Sequence, residues 1–197
     1  MVSRILATLA VLFVCCQPDA AWAQRFGGQF GGAAGFWLQY MIPNIDTRST
    51  FGRDLGDLVL VGGRGFIQTG RVRLGFGAFG GSFTDEGVNS AGNEVSGGLN
   101  AAGLTAEYLI VQKDLELIVG GFIGGGTLNV EELLSVTGEV ETINRVKESL
   151  VIGIPWVRAG YNIAPLVNVG VEVGYMVGTQ GFDGLTIGLD ILAGLIP

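Results

Sequence analysis

The sequence predicts an all-β fold, a single closed antiparallel up-and-down β-barrel of about eight strands preceded by a signal peptide. Three observations predict it. Residues alternate with period two along most of the chain, no apolar run of about 18 residues follows the N-terminal segment, and short and long connections alternate strictly between the candidate strands. The alternation is clearest near the C-terminus. Val167, Val169, Val171, Val173, Tyr175 and Val177 share one face, and Asn168, Gly170, Glu172 and Gly174 the other. Leu185, Ile187, Leu189 and Ile191 repeat the pattern against Thr186, Gly188 and Asp190.

Taken in order, residues 1–23 read as a secretory signal. Arg4 gives the positive start, Ile5 to Val14 the apolar stretch, and Ala21-Trp22-Ala23 a cleavage site, so that 24–197 form the barrel domain. Both cysteines, Cys15 and Cys16, fall inside the signal, which leaves the exported chain without disulfides. Strands are expected at about 32–42, 57–67, 71–83, 96–111, 114–130, 148–161, 166–178 and 184–196, bounded by turn residues. Tight links follow the second, fourth and sixth strands, at Gln68-Thr69-Gly70, Gln112-Lys113 and Asn162 to Pro165. Longer segments lie between them: 43–56, 84–95, 131–147 and 178–183. Alternation through Glu139, Val140, Glu141, Thr142 and Ile143 extends the third of these as a hairpin. An even number of strands with alternating links describes a meander whose two ends are differently exposed.

Composition narrows the chemistry. Mean hydropathy is +0.49 without a spanning helix, and the chain has 35 glycines, which in the last two strands, at Gly170, Gly174 and Gly188, fall on the face opposite the valines and leucines. Glycine offers nothing to solvent but fits where the walls of a narrow barrel crowd together, so the apolar face is read as lipid-facing and the glycine and acid face as lumen-facing. There is no histidine, which removes the commonest general base and zinc ligand. A net charge of -7 argues against nucleic acid. Gly75-Phe76-Gly77-Ala78-Phe79-Gly80 spells the dinucleotide fingerprint inside a strand pattern with no helix behind it, and Gly124-Gly125-Gly126 lacks the Gly-Lys-Ser/Thr of a phosphate loop. Neither carries a nucleotide site.

These strands, links and faces resemble the small eight-stranded outer-membrane barrels typified by the OmpA transmembrane domain and OmpX, from about Gly31 to Ile196. The resemblance is architectural and matches no family motif. It departs at the C-terminus, where such chains usually end in an aromatic residue and this one reads Gly194-Leu195-Ile196-Pro197. Trp37, Tyr40, Tyr108, Trp156, Tyr161 and Tyr175 are the candidates for interfacial girdles. Placing the strands by their apolar faces turns Arg73, Glu107, Glu116, Arg158, Glu172 and Asp190 inward, with Gln39 and Arg64 as further candidates. Such charges have to pair across the lumen.

The expected function is that of an outer-membrane protein with a side-chain-filled interior, structural or surface-interacting, with membrane lipid as its partner, no cofactor and no enzymatic activity. Acidic loop residues, Asp46, Asp54, Asp57, Asp85, Glu86, Glu94, Glu131, Glu132, Glu139, Glu141 and Glu148, are either solvated surface or oxygen ligands for divalent cations. Two alternatives remain. One is a secreted soluble barrel carrying a small apolar ligand, its apolar face inward; the other is an envelope or filament subunit whose apolar exterior neighbouring copies cover.

Overall fold

The structure is a computed structural model describing residues 30–44, 55–85, 87–89, 93–112, 115–136 and 139–195, with side chains of 133–144 excepted. The expected signal, the acids Asp46, Asp54 and Glu86 and the side chains of Glu139 and Glu141 lie outside the described residues. Among the described residues nine strands follow one another: β1 (Phe30–Pro43), β2 (Leu58–Thr69), β3 (Val72–Phe83), β4 (Gly87–Val88), β5 (Glu94–Val111), β6 (Leu115–Val136), β7 (Glu139–Ala164), β8 (Val167–Gly178) and β9 (Asp183–Leu195). Each long strand pairs antiparallel with its neighbour. β1 pairs with β9, and β3 with β5, so eight strands close into a barrel while two-residue β4 lies against the start of β5.

The register fixes the barrel's dimensions. One row of paired residues starts at Leu115 on β6 and runs through Tyr161, Val169, Ile191, Phe36, Gly63, Ala78 and Ala102 to Gly125, ten residues further along the same strand. A shear of ten over eight strands gives a tilt of about 40° and a backbone radius of ~8 Å, within reach of an arginine side chain from any wall.

The two ends differ as the sequence predicts. At one end β2 and β3 join through Gly70, whose φ of 57° suits the first central position of a two-residue hairpin, and β7 and β8 join through Pro165 and Leu166. At the other end β6 and β7 run on for 22 and 26 residues as a hairpin that outreaches the barrel wall. The expected loop at 131–147 is therefore largely strand. Pro155 interrupts the β7–β8 ladder between Gly153 and Trp156, since it has no N–H to donate.

Outside, valine, leucine and isoleucine form a belt. On β8 it spans Val167 to Val177, ~25 Å along the barrel axis at this tilt, the height of a transmembrane apolar band. Tyr108 and Tyr161 mark its short-turn edge. Tyr40 and Tyr175 mark the long-loop edge, their hydroxyls donating to Asp57 and Asp183. Trp37 and Trp156 are not part of either girdle: both are buried inside the barrel. Their parity decides this, because Trp37 shares a face with Gln39 and Met41, and Trp156 with Arg158 and Ile154.

Candidate functional site

The interior has two storeys. Toward the short turns lies a polar layer to which every barrel strand contributes: Trp37 and Gln39 from β1, Arg64 from β2, Arg73 from β3, Glu107 from β5, Glu116 from β6, Arg158 from β7, Asn168 and Glu172 from β8, and Asp190 from β9. Toward the long loops the lining is apolar. Met41, Leu58, Leu60, Phe79, Phe83, Leu99, Phe122, Ile152, Ile154 and Met176 pack into one core with the two tryptophans. The expectation of a lumen lined by glycine and charge therefore holds for the inward acids and arginines of the lower half, where Phe66, Leu109, Ile118 and Leu192 are nevertheless buried too, and not for the upper half. On β2, β6 and β7 both faces are apolar above the charges, and a period-two reading assigns no side to such a run.

Arg64 stands at the junction. Its Nη1 donates to Glu107 Oε1 at 3.1 Å and to Glu172 Oε2 at 3.2 Å, and Nη2 donates to Asp190. The guanidinium lies 5.4 Å from the Trp37 ring and 5.5 Å from that of Trp156, where the indole faces favour a cation. Glu172 also accepts from Trp37 Nε1 at 2.6 Å and Gln39 Nε2 at 3.1 Å. Arg158 grips Asp190 with Nε at 2.7 Å and Nη2 at 2.5 Å, the two-pronged geometry that only a guanidinium provides. Arg73 makes the same fork on Glu116, at 2.6 and 3.2 Å, takes support from Gln68 Oε1 at 2.7 Å and stacks 4.4 Å above Phe66.

Glycines make this crowding possible. A Cβ on Gly170 would fall inside the van der Waals radius of the Arg158 guanidinium, one on Gly188 would lie 2.6 Å from Glu172 Cγ, and one on Gly120 would lie 2.8 Å from Glu107 Cγ. One glycine of the dinucleotide-like run serves the same end: a Cβ on Gly77 would lie 3.0 Å from the Trp37 ring, whereas one on Gly75 would strike the backbone of Gly65 and Phe66 on β2.

All six residues singled out as inward charges are buried in this layer, together with Gln39 and Arg64. Asn168, read on the lumen-facing side of β8, joins it, and Trp37, Gln68 and Trp156 complete it without having been singled out for it. The signal for Gln68 was available in parity, since it alternates in step with Arg64 on its own strand. Chemically each carboxylate of the layer is held by at least one arginine, while Glu107 Oε2, Gln39 Oε1 and Trp156 Nε1 are left without a hydrogen bond, and no histidine or cysteine lies among the described residues. Of the acids assigned to the loops, Asp57 accepts from Tyr40, Glu131 pairs with Arg145 at 2.6 Å, and Glu132 accepts from Asn93 and Asn89 at 2.7 and 2.8 Å. Those amides hold the Glu132 carboxyl below its ordinary value. No group of three metal-ligating side chains occurs among the described residues.

No protein-family model matches the chain, and no curated protein matches it either. Solved structures do. Ail, the attachment invasion locus protein of Yersinia pestis, determined in complex with the heparin analogue sucrose octasulfate, superposes with a TM-score of 0.52 at 9% identity over 84% of this chain and 97% of that one. The N-terminal β-barrel domain of Pseudomonas aeruginosa OprF gives 0.51 at 14% identity over 85% of this chain and 98% of that one. At such identities the likeness is one of fold. Closed, eight-stranded, belted with apolar side chains and filled by its own residues, the chain has the architecture of a small outer-membrane β-barrel of the kind typified by the OmpA transmembrane domain and OmpX.

Proposed function

We propose that this protein is a closed, non-conducting outer-membrane barrel that serves the envelope as a structural and surface-presenting element, without catalytic activity. One observation carries the reading. Above the ion-paired layer, Trp37 meets Phe79 at 5.4 Å edge-on, Trp156 at 5.8 Å and Phe122 at 6.3 Å, and Phe79 meets Phe122 at 5.4 Å. An aromatic stopper seated on a ring of ion pairs leaves neither a polar path for ions nor an empty apolar chamber for a cargo molecule. The same stopper counts against a soluble carrier, whose apolar interior has to be vacant. Against an enzyme stands the pairing of every inward carboxylate with an arginine, with no histidine or cysteine beside any of them among the described residues.

The experiment is a planar-bilayer recording of the refolded barrel. The expected record is flat for the native chain and acquires conducting events in a Trp37→Ala, Phe122→Ala double variant that opens the stopper. Reproducible single-channel steps from the native protein would overturn the proposal.

A further inference from the structure

Part of the exterior differs from the rest of the belt. On β3, β5 and β6 the outward face carries Phe76, Leu104 and Ile123, paired side by side in one row, and their exposures of 67%, 67% and 64% are the highest of any large apolar residue described. Small residues flank that row, Ala78, Ala102 and Gly125 on the long-loop side and Ala106 and Gly121, beside Leu74, on the short-turn side. The result is a ridge with shallow troughs beside it. One strand-step higher, toward the long loops, the same three strands turn polar and concave. Gly80, Ser82, Ser96, Gly98, Asn100 and Asn129 line a depression of about 530 Å³, with Glu131 at its upper rim. Glycine sets the depth, and the Asn100 amide lies folded down across Gly80. On the neighbouring strand, Lys147 pairs with Asn129 in register, and Arg145 neutralises Glu131.

From this juxtaposition of an apolar ridge and a hydroxyl- and amide-lined hollow we infer a binding site for one glycolipid, acyl chains in the troughs beside Phe76, Leu104 and Ile123 and the sugar headgroup in the hollow. Chemistry and position both select this occupant. Serine hydroxyls and asparagine amides donate and accept at once, which suits sugar hydroxyls, whereas an ordinary belt residue at this height meets headgroups through tyrosine or charge. The hollow begins where the belt ends, so a molecule seated in it is continuous with the lipid covering the rest of the barrel. With Glu131 held by Arg145, Lys147 is left to favour an anionic substituent on the sugar.

The inference rests on the belt facing lipid, and the test separates the two. The refolded full chain is placed in phosphatidylcholine nanodiscs containing lipid A, a neutral galactolipid or phosphatidylglycerol, and retained lipid is counted by native mass spectrometry after detergent stripping. Both sugar lipids are expected to persist as one-to-one adducts and phosphatidylglycerol to be stripped. Asn100→Ala with Asn129→Ala is expected to lower sugar-lipid occupancy about tenfold while the heat-dependent gel shift of the folded barrel is kept. Should that pair fail to fold, Ser82→Trp fills the hollow from an exposed position and should do the same. Equal retention of phosphatidylglycerol, loss of the galactolipid alone, or undiminished lipid A on a folded variant would each overturn the site. Failure of the native chain to give a folded barrel in lipid would overturn the orientation instead.

Discussion

Gly170 offers the sharpest test of how the interior is held. Alanine in place of glycine within a strand, where the backbone tolerates it, stabilises a protein by ~0.4–1 kcal/mol by restricting the unfolded chain. At Gly170 the sign should reverse. The new methyl group would overlap Arg158 at Nη2, Cζ and Nε, the atoms that hold Asp190 and Asn168, so the guanidinium has to withdraw. Breaking a buried pair costs ~3–5 kcal/mol, and here the lower end applies because Arg64 still reaches Asp190. Subtracting the entropic gain leaves a net destabilisation of about 2–3 kcal/mol. Gly125→Ala is the control, because that Cβ points outward with nothing nearer than Leu150 O at 4.0 Å. It should gain ~0.5 kcal/mol. Urea titration of reversible folding into lipid vesicles, followed by tryptophan fluorescence, measures both. Equal midpoints for the two variants would refute the claim that glycine makes room for the arginine.

Four further outcomes follow from the same geometry. Val171→Arg, at the lipid-facing centre of β8, should destabilise the barrel by ~2–4 kcal/mol in the same titration, and a change near zero would mean that this face does not meet acyl chains. Glu172→Ala removes the acceptor of Trp37 Nε1 and Gln39 Nε2 and one of the three acids on Arg64, and should cost ~3 kcal/mol; adding Trp37→Phe should cost less than that change does alone, and additive losses would show the two side chains to be uncoupled. Removing the Phe122 ring by Phe122→Ala should cost ~3–5 kcal/mol through the cavity left beside Trp37 and Phe79. Glu132, whose carboxyl is held below its ordinary 4.5 by the Asn93 and then the Asn89 amide, keeps its contribution above pH 4.5 and loses it as pH falls through the lower folded value. Its carboxyl carbon shift should titrate below 4.5 in the native chain and move upward in Asn93→Ala.

Much of this was legible in the sequence, and the places where it was not have a physical reason. β8 could be read residue by residue because valine and glycine occupy opposite faces without exception from Val169 to Gly174. β2 could not. Leu58-Val59-Leu60-Val61 is apolar on both faces, since lipid covers one side and the stopper fills the other, and only Arg64 and Gln68 further along declare the inward parity. Trp37 and Trp156 misled for a related reason: an indole suits a membrane interface, yet its N–H also suits a buried carboxylate, and the Glu172 partner of Trp37 lies 135 residues away. The extended β6–β7 hairpin was visible as alternation beyond the membrane span. The hollow on β3, β5 and β6 was not, because its depth depends on three strands meeting in register.

The bonds that matter most inside this barrel join distant parts of the chain. Arg64 meets Glu172 and Asp190 across 108 and 126 positions, and β1 finds β9 only when the last strand has arrived. Guanidinium and carboxylate groups therefore stay hydrated until the cylinder shuts, and they lose that water together in a single late event. Such topology makes for slow, cooperative insertion, in which a half-assembled sheet keeps its charges wet and has little cause to linger in the oily interior of the bilayer.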